Sequence, residues 1–273
     1  MRGEISLKIL VTNDDGIHST GLWAAVEALK GVGEIFVVAP DREQSGVGAS
    51  LTLHAPIRAN EVPPASSGGI AGVKAYSVEG TPGDCCVLAL ERLVGPVGLV
   101  VSGINRGSNL GEDVLISGTV GAALQGHVRG YPAIAISVAA VKDTRYDVAA
   151  AFLKLLGGRL AEGDTLPSSL INVNIPNEPP ERIEGVQITR LGGRSYGERV
   201  TEGDDGRRKY YWISRDRPVY QQQEQPEDTD TWALRHNRIS ITPIHTGLTD
   251  MERMSLVEDV FRGYSHHLSG RKD

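Results

Sequence analysis

A short apolar run that ends in two adjacent carboxylates constrains this chain more than any other stretch. Residues 9–17 read ILVTNDDGI, so Asp14, Asp15 and Gly16 follow closely on three large apolar residues. This pattern predicts a buried parallel strand that stops abruptly at a turn. In an open α/β sheet, ligands bind in the crevice outside the carboxyl ends of the strands.

Two carboxylates at such a crevice repel each other, and burial would protonate one of them unless a cation lay between them. We therefore interpret Asp14 and Asp15 as candidate ligands of a hard cation, which prefers oxygen atoms. The alternative interpretation is an ordinary Asp-Asp-Gly loop or a helix cap. The rest of the chain has to decide between the two.

Composition limits the class of protein. The chain has 273 residues and 40% hydrophobic content, enough for one large core. Its net charge of −6 gives no basic footprint for a nucleic-acid polymer. The only cysteines, Cys85 and Cys86, are neighbours that we interpret as buried small hydrophobes in a reducing cytoplasm. We expect no signal peptide and no membrane association.

Strand and helix patterns alternate from residue 7 to about residue 175. This alternation predicts a three-layer α/β fold with a doubly wound, mainly parallel sheet. After the first strand, further strands are predicted at 34–39, 51–58, 74–78, 97–102, 133–138 and 170–175. Helices are predicted at 20–31, 81–93, 119–128 and 148–160.

The pattern changes in the last third of the chain. Residues 194–228 are polar and aromatic, which favours a protruding hairpin arm, and a strand at 238–244 and a helix at 248–264 follow. We therefore expect a metal- and phosphate-binding core over 1–190. Residues 191–273 are expected to supply the arm, a late strand and an oligomerisation helix.

Polar residues follow three of the predicted strands, at the sheet edge where parallel strands end. They are Asp14 and Asp15 after the first strand, Ser45 and Gly46 after the second, and Ser102, Gly103 and Asn105 after the strand at 97–102. Two carboxylates, a hydroxyl and an amide carbonyl form an all-oxygen set that suits Mg²⁺ or Mn²⁺. Because adjacent strand residues point to opposite faces, Asp14 and Asp15 can share an ion only if Gly16 has already turned the chain.

A candidate anion site lies further along the chain. Ser117, Gly118 and Thr119 stand where a helix is predicted to begin, and free amides and hydroxyls there could hold a phosphate. The alternative is an ordinary helix cap, which three such residues alone do not exclude.

Several common motifs are missing from the sequence. No G-x-G-x-x-G follows the first strand, and neither a G-x-x-x-x-G-K-[ST] loop nor a G-x-S-x-G elbow is present. The seven histidines are scattered, without metal-ligand spacing. His18 is either a proton carrier near the carboxylates or a turn residue.

Several long stretches together resemble the SurE family. These are LVTNDDGIH at 10–18, VAPDREQSGVG at 38–48, GTPGDC at 80–85, VSGINRG at 101–107, NLG at 109–111, SGTVGAA at 117–123 and SITP at 240–243. The similarity extends from residue 7 to about residue 250.

The resemblance implies a divalent-metal-dependent phosphatase that hydrolyses nucleoside 5′-monophosphates, in some members also 3′-nucleotides and short polyphosphate. It places the metal ligands on Asp14, Asp15, Ser45 and Asn105, the four positions at which the predicted loops converge. It also implies a homodimer with an exchanged C-terminal element, in some members a tetramer formed through the hairpin arm.

We predict that Asp14 and Asp15 are catalytic as well as metal-binding. The predicted phosphate- and substrate-binding residues all lie in the matching stretches: Asn13, Gly46, Ser102, Gly103, Asn109, Ser117, Gly118 and Thr119. The sequence leaves open whether water or an aspartate attacks phosphorus. A nucleotide sensor that uses the same pocket without turnover is the alternative function, and a phosphohydrolase for polyphosphate or sugar phosphates is another.

Overall fold

The computed structural model describes residues 7–63, 70, 72–140, 142–164, 166, 169–193, 196–218, 224–262 and 264. Nine of the described strands form one sheet, and two form a separate antiparallel hairpin. The strands are β1 (Leu7–Thr12), β2 (Gly33–Pro40), β3 (Ala59–Glu61), β4 (Lys74–Val78), β5 (Leu99–Arg106), β6 (Ala133–Val138), β7 (Leu170–Ile175), β8 (Val186–Ile188), β9 (Tyr196–Asp204), β10 (Lys209–Pro218) and β11 (Ile239–Ile244).

The described helices are α1 (Thr20–Leu29), α2 (Pro82–Leu88), α3 (Gly118–His127), α4 (Asp147–Ala161), α5 (Asp230–Arg235) and α6 (Met254–Val260). Four of these six helices, α1, α2, α3 and α5, begin at a residue whose side chain caps the helix. The side chain of Thr81 accepts the amide of Asp84, and Asp84 returns the bond to the Thr81 backbone, a capping box that starts α2. A π-helical turn over Ala89–Leu93 continues this helix, which matches the predicted extent.

The sheet confirms the predicted three-layer, mainly parallel architecture. Its strand order is β3-β4-β2-β1-β5-β6-β7-β11-β8, in which only the pairs β3-β4 and β7-β11 are antiparallel. Helices α1 and α4 pack together, as do α2 and α3. In the described part of the chain, no helix has the length and apolar character needed to cross a bilayer.

Alternate residues of β1 supply the two faces of the core. Ile9 and Val11 are fully buried in the cluster that includes α1 and α4, whereas Leu10 is buried in the cluster that includes α2 and α3. This is the period of two that a strand imposes on its side chains. An uninterrupted apolar run such as residues 9–11 therefore indicates a strand that is covered on both faces.

The position of β1 fixes where a ligand can bind. The chain passes from β1 through α1 to its neighbour β2, while β5 lies on the other side of β1. The strand order thus reverses at β1, and the crevice beyond the carboxyl ends of β1 and β5 is the expected ligand site of such a sheet. Residues 13–18, which carry both adjacent carboxylates, lie in this crevice.

The prediction of a strand at 51–58 was wrong. These residues form a loop, and the strand is the short β3, which pairs antiparallel with β4. The Thr52 amide donates to Asp84 Oδ1 over 2.9 Å and its hydroxyl to Oδ2 over 2.6 Å. The loop backbone is therefore held by the capping carboxylate of α2 and not by a neighbouring strand, which an alternating sequence pattern cannot reveal.

Two further boundaries differ from prediction. Strand β5 continues four residues beyond the predicted end at Ser102, because pairing with β6 resumes at Asn105 after an irregularity. Near the C-terminus, α6 covers only seven residues of the predicted helix at 248–264 and follows a 3₁₀ turn over Met251–Arg253. The apolar side chains of this segment are exposed, so no packing extends the helix.

The predicted arm is present as an antiparallel hairpin of β9 and β10. Asp204, at the end of β9, pairs with Lys209, at the start of β10. After the hairpin the chain returns through α5, and β11 enters the main sheet between β7 and β8. The late strand, which we expected to belong with residues 191–273, is thus part of the core sheet.

Candidate metal and phosphate site

The site begins at the turn that follows β1. The side-chain amide of Asn13 donates to the Gly16 carbonyl over 3.1 Å and to the Ser19 hydroxyl over 2.6 Å. Gly16 has a φ of +94°, in the region that favours glycine. The backbone therefore turns at Asp14 and Asp15, which is the condition for the two side chains to share an ion. The hydrogen bonds of Asn13 stabilise this turn.

Asp14 points towards the start of α3. Its Oδ1 accepts a hydrogen bond from the Thr119 hydroxyl over 2.6 Å, and only 4% of the residue is exposed. A Cβ added at Gly118 would lie 2.8 Å from the Asp14 Cβ. The helix therefore approaches this carboxylate so closely that only glycine fits at its first position.

Asp15 faces the opposite way, towards β5. Its Oδ2 accepts the backbone amide of Arg106 over 3.2 Å. The two neighbouring carboxylates are thus fixed by different elements, one by the N-terminus of α3 and the other by the end of β5.

The electrostatics of the pair favour a cation. Burial raises the pKa of Asp14 to about 6, the Thr119 hydrogen bond opposes this rise, and the charge of Asp15 adds to it. Burial also raises the pKa of Asp15. Both carboxylates therefore carry an unfavourable charge at neutral pH, which a bound divalent ion would compensate.

The loop after β2 lies against the same helix end. The Gln44 amide donates to the Asp14 carbonyl over 2.8 Å, and the Gly48 amide donates to the Ile116 carbonyl over 3.0 Å. Ser45 and Gly46 lie between these two anchors and are exposed. The Ser45 hydroxyl donates to the Glu43 carboxylate over 2.9 Å.

Strand β5 supplies the third group of predicted residues. Ser102 lies beside Thr12 in the parallel register, and the hydroxyls of both are buried without a hydrogen-bond partner among the described residues. Gly103 follows with a φ of +133°, and an added Cβ there would collide with the Ile136 carbonyl. The side-chain nitrogen of Asn105 donates to the Gly107 carbonyl over 2.7 Å, so its oxygen is the atom that a cation would bind.

The residues at the start of α3 make contacts that the sequence could not show. The Ser117 hydroxyl accepts the amide of Val120 over 3.1 Å as a helix cap. The Thr119 hydroxyl is used by Asp14. Both hydroxyls thus form hydrogen bonds within the protein. An anion at this helix N-terminus would be bound by the amides of the first turn and by the positive end of the helix dipole.

Asn109 has a different environment from the other predicted residues. Its side-chain nitrogen donates to Ser137 over 2.9 Å, and its backbone amide donates to Asn174 Oδ1 over 2.8 Å. Asn172 and Asn174 in turn donate to its carbonyl. These contacts place Asn109 in a buried polar network with Ser137 of β6 and with Asn172 and Asn174 of β7, and neither candidate carboxylate is among these partners.

Sequence reasoning missed Asp230, which organises the same loop. Its fully buried carboxylate accepts the amides of Gly111, Gly192 and Thr231, each over 2.8 Å. The side chain therefore ties the loop that precedes α3 to both ends of the hairpin arm. The only signal was a Thr-Asp pair before a short apolar segment, which indicates no more than a helix start.

The donor set fits a hard divalent cation. Within the described ranges, no group of three or more His, Cys, Asp or Glu side chains could hold a metal. The predicted set has only two such residues, with a hydroxyl and an amide oxygen completing it. A buried and a half-buried carboxylate, both with raised pKa values and with oxygen donors beside them, match the preferences of a hard divalent cation and not those of structural zinc.

Comparison with known proteins identifies the family of this chain. The family model described as Survival protein SurE matches residues 9–198. A relative named 5′-nucleotidase SurE from Dehalococcoides mccartyi (strain CBDB1) is 46% identical over 245 residues, covering 89% of this chain and 90% of its own length. A protein of the same name from Geobacter sulfurreducens is 43% identical, covering 92% and 93%.

A solved structure shows the same fold. The crystal structure of the SurE protein from Aquifex aeolicus superposes with a TM-score of 0.77 at 36% sequence identity. The match covers 93% of this chain and 99% of that one. Both the sequence and the fold therefore match over most of the chain, and the protein belongs to the SurE family.

Proposed function

We propose that this protein is a divalent-metal-dependent phosphomonoesterase that hydrolyses nucleoside 5′-monophosphates to nucleoside and phosphate. One observation carries the proposal: the buried Asp14, with Asp15 beside it, meets the N-terminus of α3 at the reversal of strand order. A cation site and an anion site are thereby in contact. Relatives at 41–48% identity are named 5′-nucleotidase SurE, which supports the same activity here.

The cation is assigned to Asp14, Asp15, Ser45 and Asn105. When bound, Mg²⁺ or Mn²⁺ would polarise a phosphoryl oxygen and lower the pKa of a coordinated water. Asp14 and Asp15 supply the negative charge of this site, and Ser45 and Asn105 supply neutral oxygen atoms. The fixed orientations of the two carboxylates, set by Thr119 and by the Arg106 amide, lessen the reorganisation needed on binding.

Residues around the crevice would hold the phosphoryl group. The amides at the start of α3 would donate to its oxygens, and Gly118 allows the close approach of this helix to Asp14. The buried hydroxyl of Ser102 lacks a partner among the described residues and is assigned to the same group, together with Gly103. Asn13 positions the turn after β1 through its bond to the Gly16 carbonyl. Asn109 holds the loop between β5 and α3 in place, because its carbonyl accepts a hydrogen bond from Asn172.

The nucleophile is assigned to water. Both carboxylates are assigned as ligands, and Asp14 Oδ1 also accepts the Thr119 hydroxyl, which favours water over an aspartate as the nucleophile. The stereochemical course at phosphorus, followed with a chiral isotopically labelled phosphoryl group, tests this assignment. Inversion supports a single displacement by water, whereas retention would show two displacements through an acyl-phosphate intermediate.

The activity is tested by phosphate release from AMP with Mn²⁺, compared with a sample containing EDTA. A panel of 5′-nucleotides, 3′-nucleotides, tripolyphosphate and ribose 5-phosphate at saturating metal then defines the substrate class. Metal-dependent release from 5′-nucleotides supports the proposal. AMP binding without release would indicate a nucleotide sensor, and a preference for tripolyphosphate or ribose 5-phosphate a different phosphohydrolase.

We also propose a homodimer, which in a larger assembly would form a tetramer through the hairpin arm. Large apolar side chains are exposed on the arm and on the C-terminal segment: Tyr211, Trp212, Ile213, Leu256, Val260 and Phe261. Such surfaces are typical of interfaces. Light scattering at micromolar concentration should give at least twice the chain mass of 29.2 kDa. A monomeric mass would contradict the proposal.

A cytoplasmic location is proposed with it. Cys85 and Cys86 are both free and buried, and burial raises the pKa of both thiols. Free thiols fit a reducing compartment. Fractionation of the native host, with recovery in the membrane or secreted fraction, would contradict this location.

A further inference from the structure

One side chain on β7 binds both backbone groups of a residue in the loop that follows β5. The amide of Asn109 donates to Asn174 Oδ1 over 2.8 Å, and the side-chain nitrogen of Asn174 donates to the Asn109 carbonyl over 3.0 Å. Asn174 is fully buried, and these two partners fix which end of its amide is the oxygen. Asn174 therefore holds the loop backbone as a neighbouring strand would, at a point where the loop has left the sheet.

This anchor lies in the same row of the sheet as the candidate metal ligand Asn105. Asn105 of β5 is in register with Ser137 of β6, and Ser137 is in register with Asn174 of β7. The side-chain nitrogen of Asn109 also donates to the Ser137 hydroxyl over 2.9 Å. Asn109 is thus bonded to two members of the row, and the candidate ligand is the third.

A single peptide group connects the ligand to the anchor. The Gly107 carbonyl accepts the side-chain nitrogen of Asn105 over 2.7 Å. On one side of this peptide, the Gly107 amide donates to the Val138 carbonyl over 3.0 Å, and on the other side Asn109 is held by Asn174. Gly107 has a φ of +116°, and a glycine has no side chain to restrict its backbone rotation. The orientation of the carbonyl therefore depends on these two anchors.

The orientation of this carbonyl decides which atom of Asn105 faces a cation. An amide oxygen can bind a hard cation, whereas the amide nitrogen carries two hydrogens and cannot. Because the Gly107 carbonyl takes the nitrogen, the oxygen is left for the cation. The candidate ligand Asp15 does not depend on the same peptide, since its partner Arg106 precedes it and pairs directly with Val138.

We propose that Asn174 is a positioning residue for the metal ligand Asn105 and acts through Asn109 and the Gly107 carbonyl. The inference rests on the metal site of the proposed function. Asn172 reinforces the anchor, because it donates to the same Asn109 carbonyl over 2.7 Å. A buried amide two strands away from the ligand thereby sets the affinity of the site for a divalent cation.

The test measures Mn²⁺ binding by titration calorimetry without nucleotide, so that it needs no turnover. Asn174→Ala is made in the wild type and in an Asn105→Asp background, whose carboxylate presents an oxygen in either orientation. The matched control is Asn177→Ala. Asn177 binds another loop in the same way, since it accepts the Arg145 amide over 2.8 Å and donates to the Asp143 carbonyl over 3.3 Å.

We expect Asn174→Ala to raise the Kd for Mn²⁺ about tenfold in the wild type. In the Asn105→Asp background the same change should alter the Kd by less than about twofold, because no amide has to be oriented there. Asn177→Ala should bind Mn²⁺ like the wild type. If Asn174→Ala does not fold, Asn174→Thr fills more of the space without engaging both backbone groups of Asn109, and it should raise the Kd to a similar extent.

The inference is overturned if Asn174→Ala, or Asn174→Thr in its place, binds Mn²⁺ as tightly as the wild type does. An equal rise in Kd in the Asn105→Asp background, or in Asn177→Ala, also overturns it. A wild type that binds no Mn²⁺ would overturn it together with the metal site. Mn²⁺ binding that depends on Asn174 in a protein that releases no phosphate from AMP would refute the proposed hydrolysis and leave the positioning role supported.

Discussion

The Thr119 hydroxyl donates a hydrogen bond to Asp14 Oδ1 over 2.6 Å, although the two residues stand 105 positions apart. This contact joins the end of β1 to the first turn of α3. It orients the carboxylate and lowers its pKa against the larger opposing effect of burial. The candidate metal ligand and the candidate phosphate site are therefore one connected unit.

Replacing Thr119 with valine should weaken metal binding. Without the hydroxyl, the pKa of Asp14 rises further above about 6, and protons compete with the cation at neutral pH. We expect the Kd for Mn²⁺ at pH 7 to rise about tenfold, with most of the loss recovered at higher pH. Thr119→Ser keeps the hydroxyl and serves as the control. Equal Mn²⁺ affinity in the valine variant and the wild type would disprove this role.

Asp14→Asn should abolish phosphate release and yet stabilise the protein in EDTA. The raised pKa means that the folded state binds more protons than the unfolded chain between pH 3.8 and about 6. The stability contributed by neutral Asp14 is therefore complete below this window and lost as pH rises through it. The loss amounts to about 3 kcal/mol.

The readout for Asp14→Asn is the difference in stability between variant and wild type, measured in EDTA from pH 4 to pH 8. We expect the variant to become the more stable of the two above about pH 6. Added Mn²⁺ should stabilise only the wild type. A variant that is less stable at pH 8, or that still releases phosphate from AMP, would count against the assignment.

Gly118→Ala should damage the site without a comparable cost to the fold. The new Cβ would lie 2.8 Å from the Asp14 Cβ and 3.0 Å from Oδ2, so carboxylate and helix must separate. A displacement of this kind lowers kcat/KM by about a hundredfold. The matched control is Gly158→Ala in α4, where an added Cβ has open space and should stabilise the helix by up to about 1 kcal/mol. Similar activity in the two variants would contradict the close approach.

Asp230→Ala should destabilise the protein although Asp230 lies outside the predicted ligand set. Its removal leaves the amides of Gly111, Gly192 and Thr231 without their acceptor, at a cost of about 2–4 kcal/mol. Thermal unfolding should show a drop of several degrees. Asp228→Ala, which removes an exposed partner of Arg190, should unfold close to the wild-type temperature. Equal unfolding temperatures for both variants would exclude the anchoring role of Asp230.

The parts of the structure that could be predicted are those encoded locally. The apolar run at residues 9–11 and the glycine at 16 specify a buried strand and a turn, and Thr81 with Asp84 specifies a helix start. Because the strand ends of a parallel sheet meet at one edge, topology alone predicts that the loops that carry Asp14, Ser45 and Asn105 lie at the same edge.

What could not be predicted depends on contacts between distant residues. The loop at 51–58 alternates like a strand, but Asp84 satisfies its backbone from another element. Strand β5 continues through Gly103, although the sequence predicts that the strand ends just before this residue. The reason is that β5 pairs with β6 both before and after Gly103. The anchoring of three amides by Asp230 and the pairing of Thr119 with Asp14 have no local signature at all.

The central claim is that loops distant in sequence place a divalent cation against a phosphoryl site at the ends of β1 and β5. Anomalous scattering at the manganese edge, from crystals grown with Mn²⁺, tests it most directly. The account predicts one strong peak bounded by oxygen atoms of Asp14, Asp15, Ser45 and Asn105, about 2.0–2.6 Å from each. A peak elsewhere, or none at this position with those four side chains pointing apart, would contradict it.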